Sequence, residues 1–319
     1  MCGIVGEISP DRPINRALFD TMRDSLAHRG PDGAGTVILA DGAVALGHRR
    51  LSIIDLTQTG HQPMASPDSR YWLTFNGEIY NHRDLRAELT ARGHHFCGTG
   101  DSEVLLHAYQ EWGEACLDRL SGMFAFAIWD SLARTLFLAR DRFGIKPLYI
   151  YQGDGHVIFA SELRAIISHP DVPRRINGQS LRLFFQLRHI PAPATIWAGI
   201  SKLSPGHCLT LDEKGCGAPR RYWRLTCERH TPPSPEAEAR AMALLERSVH
   251  EYLSSDPPVG MLMSGGWDSG SVLALAHRAG VTLPCYTIGF DGWDMSEHAT
   301  AAHLAEALGS PHKVRMLGK

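Results

Sequence analysis

The chain has 319 residues, 44% of them hydrophobic and 21% charged, with 32 basic against 34 acidic side chains and a formal net charge of −2. That length allows two domains, and that composition belongs to a folded globular chain, not a disordered one. The balanced charge leaves no nucleic-acid or membrane footprint, and the longest apolar stretch, Met123 to Trp129, falls well short of a membrane span.

Seven cysteines at irregular spacings, without a CxxC pair, argue against a disulfide framework or structural zinc and fit a reducing, cytoplasmic setting. The 17 histidines show no HExxH-type spacing; His94-His95 and the pair His298/His303 read as surface residues, and no metal site is expected. The short apolar run at the start has no basic region before it, so it does not read as a signal peptide.

The chain opens MCGIVGEI, which places Cys2 directly behind the initiator. Methionine aminopeptidase removes Met1 when a small residue follows, which would leave a thiol and a free α-amine on one residue. These titrate near ~8.5 and ~8, so Cys2 would hold a nucleophile and a weak base together. The plain alternative is a small residue beginning a strand.

Residues 3–8 read as a buried strand. Ile14, Leu18, Phe19, Met22 and Leu26 form a helical stripe. His28 to Gly33 is turn chemistry, with Gly and Pro where the backbone needs unusual angles. Strands are expected at 36–40, 43–48 and 71–76, a helix capped by Asn81 and ending at Gly93, and another from Ser102 to Trp112. Two hairpins follow, 123–129 with 135–140 and 147–152 with 156–160 around Gly153-Asp154-Gly155, then a further hairpin at 207–224. Residues 228–236, ERHTPPSPE, mark a linker. Beyond it helix 237–253, strand 259–263, helix 268–279, strand 285–290, helix 296–308 and strand 312–316 alternate as a parallel α/β sheet does. There is no internal repeat.

Several segments suit chemistry. Arg50 at a strand end could grip a carboxylate with its guanidinium fork, or be an ordinary surface Arg. The Asn76 amide and the Gly77 N–H could converge on one oxygen as an oxyanion hole, although Asn-Gly also makes a plain turn. Asp101 could hold an ammonium or cap the helix it precedes, and the two roles need not exclude each other, since Ser102 could supply the cap.

Read together, Cys2-Gly3-Ile4-Val5-Gly6, His28-Arg29-Gly30-Pro31-Asp32, Arg50-Leu51-Ser52-Ile53-Ile54-Asp55, Asn76-Gly77-Glu78-Ile79-Tyr80-Asn81, Gly122-Met123-Phe124-Ala125-Phe126 and Arg140 to Leu148 are far more specific than any one of them. Over residues 2–225 the chain resembles the glutaminase domain of glutamine-hydrolysing asparagine synthetases, class II N-terminal-nucleophile amidotransferases. The resemblance implies a four-layer αββα sandwich in which Cys2 attacks the glutamine side-chain amide and its own α-amine is the base. It implies Asn76 and Gly77 as the oxyanion hole, Arg50 on the α-carboxylate, Asp101 on the α-amine, and Leu51, Ile53 and Glu78 around the substrate, with no cofactor for this half.

Ser264-Gly265-Gly266-Trp267-Asp268-Ser269 lies between an expected strand and helix, where a glycine turn aims N–H groups at phosphate. It is not the GxxxxGK[ST] loop and resembles the pyrophosphate loop of enzymes that split ATP between the α and β phosphates. The resemblance places Leu262, Ser264, Gly265, Gly266, Asp268, Ser269 and Ile288 at ATP, with Mg²⁺ shielding the phosphates. It implies aspartyl-adenylate formation, and ammonia arriving through an internal tunnel to give asparagine. Trp267 and Gly270 depart from the family, which usually has Leu, Ile or Val and then Ser; an indole there needs a larger cavity.

Synthetases of this family also continue into a later SGEGSDE-like segment that is not found here. The expected organisation is therefore a glutaminase domain over 1–227, a linker over 228–236, and over 237–319 an incomplete, Rossmann-like domain of the adenine-nucleotide α-hydrolase kind. That domain would be marginal in stability unless a second copy or a complementing chain covers it. The expected activity is glutamine-dependent asparagine synthesis. The alternatives are an ammonia donor for a different acceptor and a regulatory remnant without synthetase activity. Partners are glutamine, ATP and aspartate, with no nucleic acid and no membrane.

Overall fold

A computed structural model describes residues 1–153, 155–212, 214, 217–227, 234–253 and 258–318. The chain divides into two compact units, Met1–Thr226 and Cys227–Lys319. Most of the expected 228–236 linker, and the tip residue Asp154, lie outside the described residues.

In the first unit, strands β1 (Gly3–Ile8), β2 (Gly33–Leu39) and β3 (Val44–Arg50) belong to one sheet, and β4 (Met64–Ala65), β5 (Tyr71–Ile79), β6 (Gly122–Asp130) and β7 (Thr135–Arg140) to a second. Strands β8 (Tyr149–Gly153), β9 (His156–Ala160) and β10 (Ile200–Lys202) complete the first as β10-β8-β9-β1-β3-β2. Strands β11 (His207–Asp212) and β12 (Arg220–Arg221) complete the second as β12-β11-β7-β6-β5-β4. Every pairing in both is antiparallel.

Three buried clusters fill the three spaces between four layers. Helices α1 (Arg16–Asp24) and α5 (Leu163–Ile167) cover the first sheet, with Phe19 and Met22 packed on Val5, Ala45 and Ile158. The two sheets meet through Ile4, Ile8, Leu46, Trp129, Leu138 and Phe159. Helices α2 (His82–Ala91), α3 (Asp101–Trp112) and α4 (Cys116–Arg119) cover the second sheet on Phe75, Phe124 and Phe137. Each fully buried Phe or Leu contributes about 1.5–3 kcal/mol. Helix α6 (Gly178–Leu187) follows, capped by the Asn177 side chain on the N–H groups of Gln179 and Ser180. The result is the expected αββα sandwich.

Local expectations fail where long-range bonds outvote them. Asn76-Gly77 makes no turn: both sit inside β5, whose nine-residue ladder pairs Asn76 with Ala125 and Gly77 with Phe124. Gly30 and Gly33 do not have positive φ. Gly30 is needed because a Cβ there would lie 2.3 Å from the backbone of Arg49. Asn81 holds the N-cap position of α2 as expected, but its side chain makes no cap bond, because its amide bridges Ser121 N–H and the Arg119 carbonyl at 2.9 Å each. Neither Asp101 nor Ser102 caps α3; Gly100 is the capping residue and no side chain serves it.

The second unit contains α7 (Pro235–Tyr252), β13 (Met261–Leu262), α8 (Trp267–Arg278), β14 (Cys285–Phe290), α9 (His298–Ala307) and β15 (His312–Leu317). The strands form a parallel sheet ordered β13-β14-β15. Strand β13 is shorter than expected because only Met261 and Leu262 pair with β14. Leu273, Ala276, Cys285, Ala301 and Ala305 form its core, while Tyr286, Ile288 and Phe290 alternate outward on β14. Trp267 needs no cavity: its side chain is 92% exposed.

Candidate active site

Cys2 precedes β1 and Leu51 follows β3, so the pairing of Gly3 with Arg49 brings them side by side. The Cys2 thiol donates to the Leu51 carbonyl at 3.5 Å and accepts the Leu51 N–H at 3.4 Å. Arg29 Nε donates to the Cys2 carbonyl at 2.9 Å, and its other end pairs with Glu162 at 3.0 Å. The residue is thus held from both faces. Burial pushes the thiol above its ordinary range, so the resting sulfur is protonated and needs a base.

Cys2 opens into a pocket of about 490 Å³, solvent at its mouth included. Its walls bring together the sequence-predicted Arg50, Leu51, Ile53, Asn76, Gly77, Glu78 and Asp101, and add Met1, His48, Gln62, Ser102 and Lys146. The Asn76 side chain is 1% exposed, and neither its amide nitrogen nor its oxygen has a hydrogen-bond partner. Leaving such a group unpaired costs about 1–3 kcal/mol, so its place at a polar pocket calls for a ligand atom.

Strand parity places the Gly77 N–H beside it. Phe124 turns both its backbone groups to Asp141, so its partner Gly77 forms a non-hydrogen-bonded pair whose N–H faces away from β6. The same edge of β5 shows the Phe75 N–H bonded to Gln62 Oε1 at 2.6 Å and the Ile79 N–H bonded to Asp101 Oδ2 at 2.9 Å. Gly77 lies between them, and a Cβ on it would meet the Met123 carbonyl at 2.2 Å.

Arg50 is not a loose surface residue. Its guanidinium donates to the carbonyls of Asp55 and Thr57, closing the loop that carries Leu51, Ile53 and Ile54 into the pocket wall. Asp55 knots that loop through Thr57, Thr59 and the Thr99 N–H, bonds that hold its carboxyl down to about 2 against the opposing effect of burial. Burial lifts Asp101 to about 7, with the Glu78 carboxylate adding to the rise, and burial also raises Glu78. His48 is buried and pushed down to about 3, so it is a neutral ring donating Nε2–H to the Phe75 carbonyl at 3.1 Å.

Sequence reading assigned no role to Lys146, His48 or Gln62, and to Ser102 only that of a helix cap. No local signal marks them, because each reaches the pocket from a different element. A zwitterionic ligand would find two cations, two carboxylates, two unpartnered donors and a thiol.

In the second unit the glycine loop joins β13 to the first turn of α8. Ser269 Oγ donates to the Ser264 and Gly266 carbonyls at 3.0 and 3.2 Å, and the Ser264 N–H donates to Ser269 Oγ at 3.3 Å. The Gly265 N–H is taken by Glu297 Oε2 at 3.1 Å, so a carboxylate already stands at the loop. Leu262 is 83% exposed, and Ile288 lies outward on the neighbouring strand.

Elsewhere, ligand-capable atoms of His156, His169 and Asp171 lie within 4.8 Å of one another. Arg12 pairs with Asp171, whose N–H donates to His169 Nδ1 at 3.3 Å, so this group is held by its own contacts. Among the described cysteines none forms a disulfide, and no described helix is long and apolar enough to cross a membrane.

The model of the glutamine amidotransferase domain family matches residues 1–223, and that of the asparagine synthase family matches residues 240–318. Asparagine synthetase [glutamine-hydrolyzing] 3 of Bacillus subtilis (strain 168) is 37% identical over 98% of this chain and 53% of its own length. Asparagine synthetase [glutamine-hydrolyzing] 1 of the same organism is 35% identical over 97% of this chain and 49% of its own. The chain thus spans about half the length of these curated relatives. Among solved structures, the glutamine phosphoribosylpyrophosphate amidotransferase from B. subtilis superposes with a TM-score of 0.51 at 20% identity, covering 98% of this chain and 65% of that one, a likeness of fold.

Proposed function

Since this chain belongs to the glutamine amidotransferase domain family, we propose that residues 1–227 hydrolyse glutamine at Cys2 and that 237–319 are the nucleotide-binding part of an asparagine-synthetase-type ligase, joined by the 228–236 linker. The observation that carries the first half is the convergence of the Cys2 thiol, the unpartnered Asn76 amide and the outward Gly77 N–H on one pocket.

With Met1 removed, the α-amine of Cys2 takes the thiol proton and the sulfur attacks the side-chain carbonyl carbon of glutamine. Charge moves to the carbonyl oxygen, which Asn76 Nδ2 and the Gly77 N–H receive. The proton held by the α-amine passes to the departing nitrogen, the C–N bond breaks, and ammonia leaves a γ-glutamyl thioester. Water adds to that thioester with the same amine as base, releasing glutamate and restoring the thiol. Arg50 and the loop it closes receive the α-carboxylate, and Asp101 with Glu78 the α-ammonium.

For the second half, ATP would seat its phosphates on the Gly265 and Gly266 N–H groups and the Ser264 and Ser269 hydroxyls. The Glu297 carboxylate bonded there supports an anion-accepting loop. Leu262 and Ile288 would contact the nucleotide, and Asp268 in the first turn of α8 is the carboxylate that would hold Mg²⁺. Aspartate is the proposed acceptor, activated as its adenylate and then attacked by ammonia. A cytoplasmic setting and assembly with a second copy or a complementing chain complete the proposal.

The test is glutamate and pyrophosphate release from glutamine, with and without ATP·Mg²⁺ and aspartate, alongside Cys2→Ala. Glutamate release lost in Cys2→Ala supports the first half, and aspartate-dependent pyrophosphate supports the second. No glutamate from chain with a free Cys2 amine would overturn the reading. Glutamate without pyrophosphate would confine it to a glutaminase.

A further inference from the structure

The loop after β7 carries a lysine into the Cys2 pocket and fixes it there with seven hydrogen bonds to its backbone surroundings. Asp141 accepts the N–H groups of Phe124, Phe143, Ile145 and Lys146 at 3.2, 3.1, 2.9 and 2.9 Å. Arg140 donates to the carbonyls of Lys146, Leu203 and Gly144 at 2.7, 2.6 and 2.7 Å. Lys146 is 4% exposed and lines the pocket with Met1, Cys2 and Glu78. Among the described residues its ammonium has no hydrogen bond and no ion pair. Burial weakens its own hold on the proton first, and the Glu78 carboxylate beside it works the other way.

The neighbouring cations differ from it. Arg29 is answered by Glu162 and the Cys2 carbonyl, and Arg50 by two carbonyls of its own loop. Of the three, the lysine is the cation without an answering partner among the described residues.

We propose that Lys146 is a positioning residue of the glutaminase reaction: its fixed positive charge keeps the α-amine of Cys2 unprotonated and so able to take the thiol proton. The inference rests on the reading of Cys2 as nucleophile. A second positive charge beside a buried ammonium is disfavoured, which depresses protonation of the amine. At the present chain start, burial lowers the amine first, Lys146 and Arg29 lower it further, and Cys2 and Glu78 oppose them. The titratable and charged groups around this point are the Cys2 thiol before β1, Arg29 after α1, neutral His48 and Arg50 on β3, Glu78 on β5, Asp101 on α3 and Glu162 after β9. Asp141, beneath the lysine, is the acid of its own loop. Cys2 and Glu78 favour a charged amine, and Lys146 is placed to offset them.

The experiment uses the full chain with Met1 removed, verified by mass, carrying ¹⁵N-labelled cysteine. The α-amine of Cys2 is titrated by NMR in the native protein and in Lys146→Met, Lys146→Gln and Lys146→Arg. In the Met and Gln variants the midpoint is expected to rise by about one pH unit, and to stay in place in Lys146→Arg. The acid limb of the glutaminase kcat/KM profile should move with it. That leaves the Met and Gln variants about tenfold slower below the midpoint and close to the native rate well above it. An unmoved midpoint in both charge-removing variants, or an equal rise in Lys146→Arg, would overturn the proposal. If the native chain releases no glutamate at any pH, it is the glutaminase reading that falls, and the role of Lys146 in it, whatever the titration shows.

Discussion

Asp101 Oδ2 accepts the backbone N–H of Ile79 at 2.9 Å, so a carboxylate from the first turn of α3 ties down β5 two residues beyond Gly77. One side chain therefore shapes the strand that carries both proposed oxyanion donors and faces the pocket where glutamine would bring its ammonium. In the proposed reading the structural and the binding task would fall to the same carboxylate.

Burial first, and Glu78 beyond it, push that carboxylate up to about 7. Between the unfolded value near ~4 and about 7, the folded state holds the proton that the unfolded state has lost. Asp101 therefore contributes stability that falls as pH rises through that window. Glutamine, carrying an ammonium, needs the charged form, so its KM should climb as pH drops below about 7. Asp101→Asn should flatten the stability fall and raise KM by about 10–100-fold. Steady-state KM and urea midpoints from pH 5 to 8.5 check both; a KM indifferent to pH and to the substitution contradicts the assignment.

Asn76 is buried with its amide unpartnered. Asn76→Ala should lower kcat for glutamine hydrolysis by about 10²–10³ with little change in KM. Because the substitution also removes an unpaired buried amide, the urea midpoint should hold or rise. A kcat within tenfold of native would show that Gly77 alone serves the oxygen.

Asp141 accepts four backbone N–H groups from two segments. In Asp141→Ala those donors lose their acceptor together. A loss of about 3–5 kcal/mol from the first unit is expected, readable as faster amide exchange at Phe124 and Lys146. Asp141→Asn, which keeps one acceptor oxygen, should lie between. Unchanged exchange in the Ala variant would mean that water replaces the carboxylate at no cost.

Glu297 holds the Gly265 N–H that the ATP proposal assigns to a phosphate. Glu297→Ala should tighten pyrophosphate or ATP binding by about 3–10-fold, because the anion no longer displaces a carboxylate. Calorimetry on the full chain measures it, and weaker binding would make Glu297 a support of the loop instead.

Much of this was legible in the chain. Alternation with period 2 and stripes with period 3.6 located most elements to within a few residues, because strand faces and helix faces follow backbone geometry alone. The local alternatives that fail share one cause. A turn at Asn76-Gly77 and side-chain caps from Asn81 and Asp101 are the best local bonds of those residues. In the fold each finds a distant partner: β6 for the Asn-Gly pair, Ser121 and Arg119 for Asn81, Ile79 for Asp101.

By itself, then, the sequence determined the order of elements, the identity of the nucleophile candidate and a candidate set of polar residues, Arg50, Asn76, Glu78 and Asp101, that the fold brings to one pocket. Those depend on residue type and spacing. Only the tertiary structure decided which way Gly77 turns its N–H, that Arg50 closes a loop, and that Lys146 enters the pocket. Each depends on register across strands and on loops pinned by residues far away in the chain, which no local pattern encodes.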